Sequence, residues 1–480
     1  MKLRPIVIVL LLTFGAVLVH GYHPWAEDAE IYLPGVEKIL RPELFPFGAQ
    51  FFQSHAHLTL FPNLIAASER VTRLPFDVLL FSWHLVSIFL FLLACWELSG
   101  KCFSSPRARW AGVALEAALL TLPVAGTALY IMDQYVNPRN LNVCATIFAV
   151  SRVLDKKYTQ AAAFLIVAAL IHPLMPAFAI SFCVLLLLMR KMPEGIASLG
   201  CLLLPGGFFD TPAAYHEVAI SHSYHYLTRW AWYEILGALA PLVILWWSGR
   251  IARSKRWGNV DLLCRALVVY GVVYFIAGLV LAIPARFETL ARLQPMRSLY
   301  LLYILMILIG GGYLGEFVLR NRAWRWLALF VPLCAGMFAA QRSLFPASAP
   351  IEWPGMAPRN PWAQAFVWVR DHTPTDAIFA LDPEHMNLPG EDENGFRAIA
   401  ERSMLADGVK DSGAVSMFPA MADAWWQQVQ ARANWKNFGV QDFERLHEQY
   451  GVTWVIVQRP GGAGLECPYG NQAVQVCRVN

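Results

Sequence analysis

The chain has 480 residues, of which 57% are hydrophobic and 15% are charged. A soluble domain carries about 25% charged residues, so this composition excludes an ordinary soluble protein and predicts a polytopic membrane protein. The net charge is +4; residues 343–480 hold 10 Lys+Arg and 16 Asp+Glu, and the basic charges of the remainder lie in short loops between apolar runs, which excludes nucleic acid as a partner.

The first apolar run, Pro5–Val19, follows the basic start Met1-Lys-Leu-Arg4 and fits either a cleaved signal peptide or a retained helix. No clear small-x-small cleavage site follows it, so a retained helix is preferred. Both interpretations place the acidic run Glu27-Asp28-Ala29-Glu30 outside the cytoplasm. Charges crowded at a membrane boundary are costly unless they are solvated, paired or used, so this run is the first indication of chemistry.

Ten further apolar runs follow. They cover about residues 76–98, 111–131, 140–153, 160–171, 174–189, 194–206, 231–248, 260–283, 297–317 and 326–341. Five basic loops lie between them, at Lys101/Arg107/Arg109, Arg152/Lys156/Lys157, Arg190/Lys191, Arg250/Arg253/Lys255/Arg256 and Arg320/Arg322/Arg325. The positive-inside rule places all five in the cytoplasm. The outer segments are then loops 22–75, 132–139, 207–230 and 284–296 and the tail 343–480.

The stretch 160–189 has basic residues at both ends, so it must cross outward and return. Each arm has roughly 12–16 residues, short of the roughly 20 that a full span needs. Pro173 breaks a helix at the bend, next to His172. The stretch therefore predicts a hairpin of two short helices, which membranes tolerate where it lines a cavity. The predicted fold is a polytopic α-helical membrane protein with about eleven transmembrane segments, its N-terminus inside and its C-terminus outside.

Residues 343–480 predict a separate, small extracytoplasmic α/β domain after the transmembrane module of residues 1–342. Its predicted elements are helices Trp362–His372, Ala422–Trp435 and Asp442–Gln449 and strands Ala377–Leu381 and Val452–Val457. Pro361 suits the first turn of the first helix. Cys467 and Cys477 can form a disulfide if this domain lies outside the cytoplasm.

The predicted outer face gathers nearly all the polar residues that could do chemistry. The candidates are Glu27, Asp28, Glu30, His55, His57, Asp133, Arg139, Asp210, His216, His222, His225, Arg286, Glu288, Arg292 and Arg297, together with His172 at the hairpin bend. A carboxylate beside membrane-level arginines suits one task. It can deprotonate a hydroxyl or amide acceptor while arginine neutralises a phosphate leaving group.

Each group of candidates also has a plainer interpretation. The carboxylates can be solvated interface charges, and the arginines can bind ordinary phospholipid headgroups. The histidines can be interface residues, lining of an acceptor groove or, for His172, a hydrogen-bonded helix breaker. In the tail, Arg397, Arg402, Asp407 and Lys410 indicate an internal salt-bridge network or, alternatively, a stretch that closes over the active site.

The run Glu27-Asp28-Ala29-Glu30-Ile31-Tyr32 resembles the first-loop motif of GT-C glycosyltransferases. The broken hairpin at His172-Pro173 is similar to their short middle helices, and Leu293-Gln294-Pro295-Met296-Arg297 resembles the place where they hold the lipid phosphate. The tail sequence Trp362-Ala-Gln-Ala-Phe-Val-Trp-Val-Arg370, with Thr373-Pro-Thr-Asp-Ala377, is similar to the opening of the soluble domain in oligosaccharyltransferase catalytic subunits. Protein mannosyltransferases share this architecture.

The resemblance implies a role for several residues. Asp28 is implied as the catalytic acidic residue, with Glu27 as the alternative. Arg297 is implied to contact the donor phosphate, with Arg292 as the alternative, and Asp133 is the acidic residue of the second loop. Metal-using members of the family have two acidic residues around a spacer there. This chain has one, so binding of a divalent metal such as Mg²⁺ or Mn²⁺ is weakly supported, with His55 and His57 as further ligand candidates.

The resemblance implies an inverting membrane glycosyltransferase. It would transfer a sugar from a polyprenyl-phosphate or polyprenyl-diphosphate donor to an acceptor glycan, lipid or protein outside the cytoplasm, with membrane lipid around it. The expected location is the bacterial inner membrane, with a periplasmic tail. Two alternatives remain: a transporter or flippase for a lipid-linked substrate, and a catalytically degenerate scaffold that acts as a binding or assembly subunit. If Asp28 pointed to bulk water away from every arginine, the scaffold would be favoured.

Overall fold

A computed structural model describes residues 3–191, 214–282, 292–462 and 464–479 of the chain. Up to residue 344 the described residues are mostly helical, and the only sheet within the described ranges lies in the C-terminal part. The N-terminal helices are α1 (Leu3–His20), α2 (Ala29–Leu40), α3 (Gln50–Ala56), α4 (Phe61–Thr72), α5 (Phe76–Cys102), α6 (Pro106–Ala118), α7 (Pro138–Leu154), α8 (Tyr158–Ile171), α9 (Met175–Lys191), α10 (Tyr215–Ser221), α11 (Trp232–Ser254), α12 (Gly258–Ala282), α13 (Leu299–Tyr313) and α14 (Ala323–Leu344).

Five of the described helices are long and apolar enough to cross a membrane: α5, α11, α12, α14, and α13 together with the turns that flank it. Three more, α1, α8 and α9, are apolar but shorter. These helices support an integral membrane protein. The expected count of about eleven segments is not confirmed, and the predicted segment 194–206 lies outside the described residues.

The prediction of one membrane segment over residues 111–131 is wrong. Helix α6 ends at Ala118, and residues 119–137 form an irregular loop in which Pro123 pairs with Tyr130 as an isolated bridge. Proline lacks the amide hydrogen and clashes with the preceding turn, so a helix cannot continue through Pro123 without a break. The loop that the sequence predicts as the second outer loop therefore begins before Leu120 and is longer than its apolar sequence indicated.

The predicted hairpin of two short helices is confirmed. Helix α8 ends at Ile171 and α9 begins at Met175. At the bend, the His172 Nδ1 accepts hydrogen bonds from the backbone N–H groups of Leu174 (3.2 Å) and Met175 (3.3 Å). These donors have no partner within a helix, so His172 caps the return helix in the way that an N-cap residue does.

The five basic loops come together at one end of the helices, where Arg190 of the third loop donates to the Val153 and Leu154 carbonyls beside the second, both at 2.8 Å. The Lys101 ammonium lies 2.7 Å from the Asp155 carboxylate of the second loop, and Asn259 beside the fourth loop donates to the Lys101 carbonyl. Arg107 pairs with Glu316, just before the fifth loop, at 3.1 Å. The basic loops therefore lie together, as expected from their charge. The acidic run, which follows α1, lies at the other end of the helices.

The C-terminal part contains a five-stranded mixed sheet with helices around it. Its elements are α15 (Pro361–His372), β1 (Ile378–Ala380), α16 (Phe396–Ala400), β2 (Ser403–Met404), α17 (Lys410–Met417), α18 (Ala422–Gln430), α19 (Val440–Tyr450), β3 (Trp454–Gln458), β4 (Glu466–Gly470) and β5 (Val474–Arg478). The strand order is β2-β1-β3-β5-β4, with β1 parallel to its two neighbours and β5 antiparallel to both of its own. Cys467 and Cys477 form a disulfide between β4 and β5.

The C-terminal part is joined directly to the loop that follows α1. The backbone N–H of Glu27 donates to the Glu393 carbonyl, and that of Gly395 donates to the Trp25 carbonyl, both at 2.8 Å. A Cβ at Gly395 would lie 2.6 Å from the Glu30 Oε2, so glycine is what permits this close approach. The acidic run is thereby fixed between the membrane helices and the C-terminal sheet.

Candidate functional site

A cavity of about 490 Å³ lies where the acidic run, the second outer loop, the start of α13 and the C-terminal part meet. Its polar lining comes from Glu27, Asp28, Tyr130, Asp133, Tyr135, Arg139, Ser221, His222, Tyr224, Arg297, Glu384, Asn387, Lys410 and Ser412. Segments from all along the chain therefore contribute to one concave surface with converging polar groups, and ligand sites are usually concave.

The acidic run reaches the cavity through a strained turn. Glu27 has a φ of 58°, in the left-handed region that residues other than glycine rarely adopt. Asp28 then occupies the N-cap position of α2, but its side chain makes no cap hydrogen bond. An Asp at this position usually accepts from the helix backbone. Here the carboxylate is instead available to the cavity.

Arg139 connects the acidic run to the second outer loop. Its Nη1 donates to Asp28 Oδ2 and its Nη2 donates to Asp133 Oδ2, both at 3.0 Å. Arg139 lies in the first turn of α7, whose N-cap Asn137 accepts from the backbone N–H of Asn140 (3.0 Å) and donates to the Asp133 carboxylate. The two sequence-predicted acidic residues, Asp28 and Asp133, therefore share one guanidinium.

Arg297 also lines this cavity. Gln294, with a φ of 49°, turns the chain into the short 3₁₀ segment Pro295–Ser298. This segment contains Arg297 and leads directly into the N-terminus of α13. The Arg297 Nε is a buried donor with no hydrogen-bond partner within the described ranges. A buried guanidinium N–H that no protein group satisfies is costly unless a ligand accepts from it.

Lys410 completes the cavity from the C-terminal part. It is the first residue of α17, and its ammonium pairs with the Glu27 carboxylate and lies 3.5 Å from Asp28 Oδ1. Asp407 fixes this helix start because its Oδ1 accepts from the backbone N–H groups of Val409 (2.8 Å) and Asp411 (3.2 Å). The lysine is therefore presented by a capped helix start rather than by a free loop.

The charges around Asp28 keep it ionised. Burial alone would raise the pKa of Asp28, but the positive charges of Lys410, Arg139 and Arg297 outweigh burial and hold this pKa well below its usual value. Asp133 differs, because its burial outweighs Arg139 and raises its pKa. The pKa values of the two carboxylates are therefore shifted in opposite directions, and the surrounding cations keep Asp28 ionised.

Glu30, the third carboxylate of the acidic run, does not line the cavity. Its Oε1 accepts from Arg397 Nη1 and its Oε2 accepts from the Ala398 backbone N–H, both at 3.1 Å. Arg397 also makes two hydrogen bonds to Asp411, at 3.0 and 2.6 Å. Burial, followed by the nearby Asp407 and Asp411 charges, raises the pKa of Glu30 to about 8 against the pull of Arg397.

The remaining predicted site residues lie away from the cavity lining. His55 packs edge-on against Tyr32 and Phe418, with ring centroids 6.3 and 5.8 Å apart, and burial lowers the His55 pKa to about 4. His57 is exposed and borders a different cavity, and His172 caps α9. Arg292 donates to the Met417 carbonyl at 3.4 Å. Asp210, Arg286 and Glu288 lie outside the described residues.

Part of the charged stretch of the tail forms the predicted internal salt-bridge network, whereas its closing over an active site stays a prediction. Arg397, Asp407 and Asp411 belong to a buried ion network, whereas Lys410 projects into the cavity. Lys410 did not enter the set of site residues from sequence because a single lysine in a charged run carries no spacing signal. Tyr224 was also missed, although the neighbouring His222 was a candidate lining residue.

The donor set of the cavity does not fit a divalent metal. Glu27 is paired with Lys410, Asp133 with Arg139, and Asp28 with both cations. Mg²⁺ requires free carboxylate oxygens in near-octahedral positions. Side-chain cations already contact each of these three carboxylates. Within the described ranges no three His, Cys, Asp or Glu side chains are grouped to hold a metal ion.

Comparisons with known proteins give structural likenesses only. No family model and no curated protein matches the sequence. An oligosaccharyltransferase from Archaeoglobus fulgidus in the apo form is similar, with a TM-score of 0.45 and 12% identity over 95% of this chain and 69% of that chain. The archaeal oligosaccharyltransferase AglB in complex with an inhibitory peptide and a dolichol-phosphate gives a TM-score of 0.44 and 12% identity over 94% and 69%.

A third likeness is to the arabinofuranosyltransferase AftD from Mycobacteria, with a TM-score of 0.37 and 13% identity over 100% of this chain and 40% of that chain. AglB and AftD are both members of the GT-C superfamily, which the first-loop motif resembles. Because every TM-score is below 0.5 and every identity is below 25%, the chemistry of this chain is inferred from its own residues.

Proposed function

We propose that this protein is a membrane glycosyltransferase that transfers a sugar from a polyprenyl-phosphate or polyprenyl-diphosphate donor to an extracytoplasmic acceptor. One observation carries the proposal: Asp28 and Arg297 line the same cavity, at the end of the helices away from the basic loops. A carboxylate for the acceptor and a guanidinium for the phosphate are the two groups that this transfer needs.

In the proposed reaction the acceptor oxygen or nitrogen attacks the anomeric carbon from the face opposite the phosphate. The bond from the anomeric carbon to the phosphate oxygen breaks, the electron pair stays on the leaving phosphate, and the configuration is inverted. Arg297 donates hydrogen bonds to that phosphate and stabilises the charge that develops on it. Asp28 orients the acceptor and takes its proton.

The low pKa of Asp28 fits this role once the donor is bound. Lys410, Arg139 and Arg297 hold the pKa down. A phosphate bound at Arg297 introduces negative charge beside Asp28 and offsets part of that field, which raises the pKa of the carboxylate. Asp28 thereby becomes a stronger base only when the leaving group is in place.

The proposed location is the outer face of a bacterial inner membrane, with a periplasmic C-terminal domain at residues 343–480. The clustered basic loops support this orientation because positive loops stay in the cytoplasm. The disulfide between Cys467 and Cys477 supports an oxidising compartment. Acceptor glycans, lipids and proteins all remain candidates, as do donors with one or two phosphates.

The two alternatives have less support. A degenerate scaffold predicts that Asp28 points to bulk water, but its carboxylate lies 3.0 Å from Arg139 and lines the cavity with Arg297. A transporter or flippase predicts charges along a central path through the membrane helices. Of the four carboxylates near segment ends, Glu316 and Asp261 pair with arginines, Glu234 accepts from the backbone at the start of α11, and Glu116 is buried.

The test is a transfer assay on the full chain in lipid nanodiscs. Sugars linked to polyprenyl phosphate and to polyprenyl diphosphate are supplied, and release of the lipid phosphate is measured. Asp28→Asn keeps the shape of the side chain but removes its charge, and we expect the rate to fall by about 10²–10⁴-fold. Asp423→Asn, at an exposed carboxylate remote from the cavity, is the matched control. Full activity of Asp28→Asn would sink the assignment.

A further inference from the structure

The cation nearest to the acidic run belongs to the C-terminal part of the chain. The Lys410 ammonium pairs with Glu27 and lies 3.5 Å from Asp28 Oδ1, so it stands between two carboxylates that are adjacent in sequence. Two neighbouring carboxylates that face one cavity repel each other unless a cation stands between them. Where two carboxylates face one cavity, the cation between them is often a bound metal ion. Here the Lys410 ammonium lies between Glu27 and Asp28.

The position of Lys410 is built into the fold. The ammonium is at the first residue of α17, the helix start is capped by Asp407, and the next residue, Asp411, is held by two hydrogen bonds from Arg397. Arg397 also holds Glu30, three residues after Glu27. The same guanidinium therefore contacts both the helix that carries the lysine and the helix that begins directly after Glu27 and Asp28.

The Lys410 ammonium disfavours a second cation at Glu27 and Asp28, although the cavity lining as a whole is not positive. The described cavity lining has three positive side chains, Arg139, Arg297 and Lys410, against the carboxylates Glu27, Asp28, Asp133 and Glu384. A divalent ion at Glu27 and Asp28 would meet the ammonium at contact distance, where like charges repel by several kcal/mol at the protein surface. It could bind there only after Lys410 had left.

We propose that Lys410 is the resident cation of this site and occupies the place of a divalent metal between Glu27 and Asp28. The C-terminal part of the chain thereby supplies a positioning residue for Asp28, and the site is complete only when that part is docked. The catalytic meaning of this residue rests on the proposed glycosyl transfer, whereas the occupancy of the cation position does not.

The experiment measures Mn²⁺ binding by electron paramagnetic resonance of the full chain in detergent, without any donor or acceptor. We expect the wild type to bind no stoichiometric Mn²⁺ that depends on Asp28. Lys410→Met removes the ammonium at similar size and frees both carboxylates, so we expect one Mn²⁺ per chain with affinity at least about 10-fold above that of the wild type. Adding Asp28→Asn to this variant removes the gained ion.

Lys410→Arg, which keeps the charge, and Lys436→Met, at an exposed lysine outside the cavity, are the controls and behave as the wild type. Two results would overturn the proposal. The first is a Mn²⁺ ion bound to the wild type that Asp28→Asn removes. The second is no increase in Mn²⁺ binding by Lys410→Met when that variant elutes as a folded, monodisperse protein. If Lys410→Met does not fold, the comparison of wild type with Asp28→Asn still decides whether the wild type binds a Mn²⁺ ion that depends on Asp28. This experiment measures Mn²⁺ binding and not sugar transfer. Failure of the proposed glycosyl transfer would therefore show in the transfer assay and leave the Mn²⁺ result unchanged.

Discussion

The Arg397 guanidinium donates a 3.1 Å hydrogen bond to Glu30 Oε1, 367 residues earlier in the chain, and both side chains are buried. Glu30 follows Asp28 on α2, and Arg397 also holds Asp411, the neighbour of Lys410. One buried guanidinium thus fixes the C-terminal part of the chain against the acidic run. The spacing between Asp28 and Lys410 depends on this contact, although Arg397 does not line the cavity.

Replacement of Arg397 by Met should destabilise the protein strongly. The variant leaves Glu30, Asp407 and Asp411 buried together without their cation, and breaking a buried pair by removing one partner typically costs about 3–5 kcal/mol. The measurement is denaturant unfolding of the detergent-solubilised chain, together with limited proteolysis of the C-terminal part. Arg445→Met, which removes the exposed pair of Arg445 with Asp442, is the control and should change stability little. Equal stability of the two variants would contradict the proposed clamp.

Stability should fall as the pH rises through the pKa of Glu30. The folded-state pKa of about 8 is above the usual value of 4.5, mainly because of burial and then because of the Asp407 and Asp411 charges. The protonated form is therefore favoured by folding, and its contribution is fully present below pH 4.5 and lost as the pH rises through about 8. Glu30→Gln mimics the protonated carboxyl and cannot ionise.

The check is the melting temperature of wild type and Glu30→Gln from pH 6 to pH 9. We expect the wild type to lose about 3 °C or more relative to the variant across this range. Burial raises the pKa of Asp411 to about 6 and that of Glu393 to about 9, and both groups are present in both proteins, so the difference isolates Glu30. Parallel curves would show that Glu30 is ionised throughout.

Arg297 and Arg292 should differ in their effect on the donor. Arg297→Gln removes the cavity guanidinium, and since a hydrogen bond to a charged group contributes about 1.5–3 kcal/mol, the KM for the lipid-linked donor should rise by about 10–100-fold. Arg292 donates to the Met417 carbonyl outside the cavity lining, so Arg292→Gln should leave the donor KM within about 2-fold. The measurement is donor and acceptor KM in nanodiscs. A larger donor effect at Arg292 would move the phosphate site there.

Much of the membrane part could be predicted from sequence. Apolar length located α5, α11, α12, α13 and α14, and Pro173 located the break in the hairpin, because helix length and proline geometry are local properties. The span over 111–131 was wrong because hydropathy does not register the turn at Pro123. In the tail, β1 and β3 were predicted from their apolar runs. The short β2 and the exposed β4 were missed because their residues carry little hydrophobic pattern.

The sequence by itself determined the class of the protein, the hairpin and the candidates Asp28, Asp133 and Arg297. Only the tertiary structure decided which charges share a cavity. It turned Glu30 toward Arg397, bridged Asp28 and Asp133 through Arg139, and placed Lys410 beside Glu27. These contacts join residues hundreds of positions apart, and no local periodicity records them. Their cause is the cost of burying charge, which favours the pairing of a buried carboxylate with a cation that the fold brings beside it.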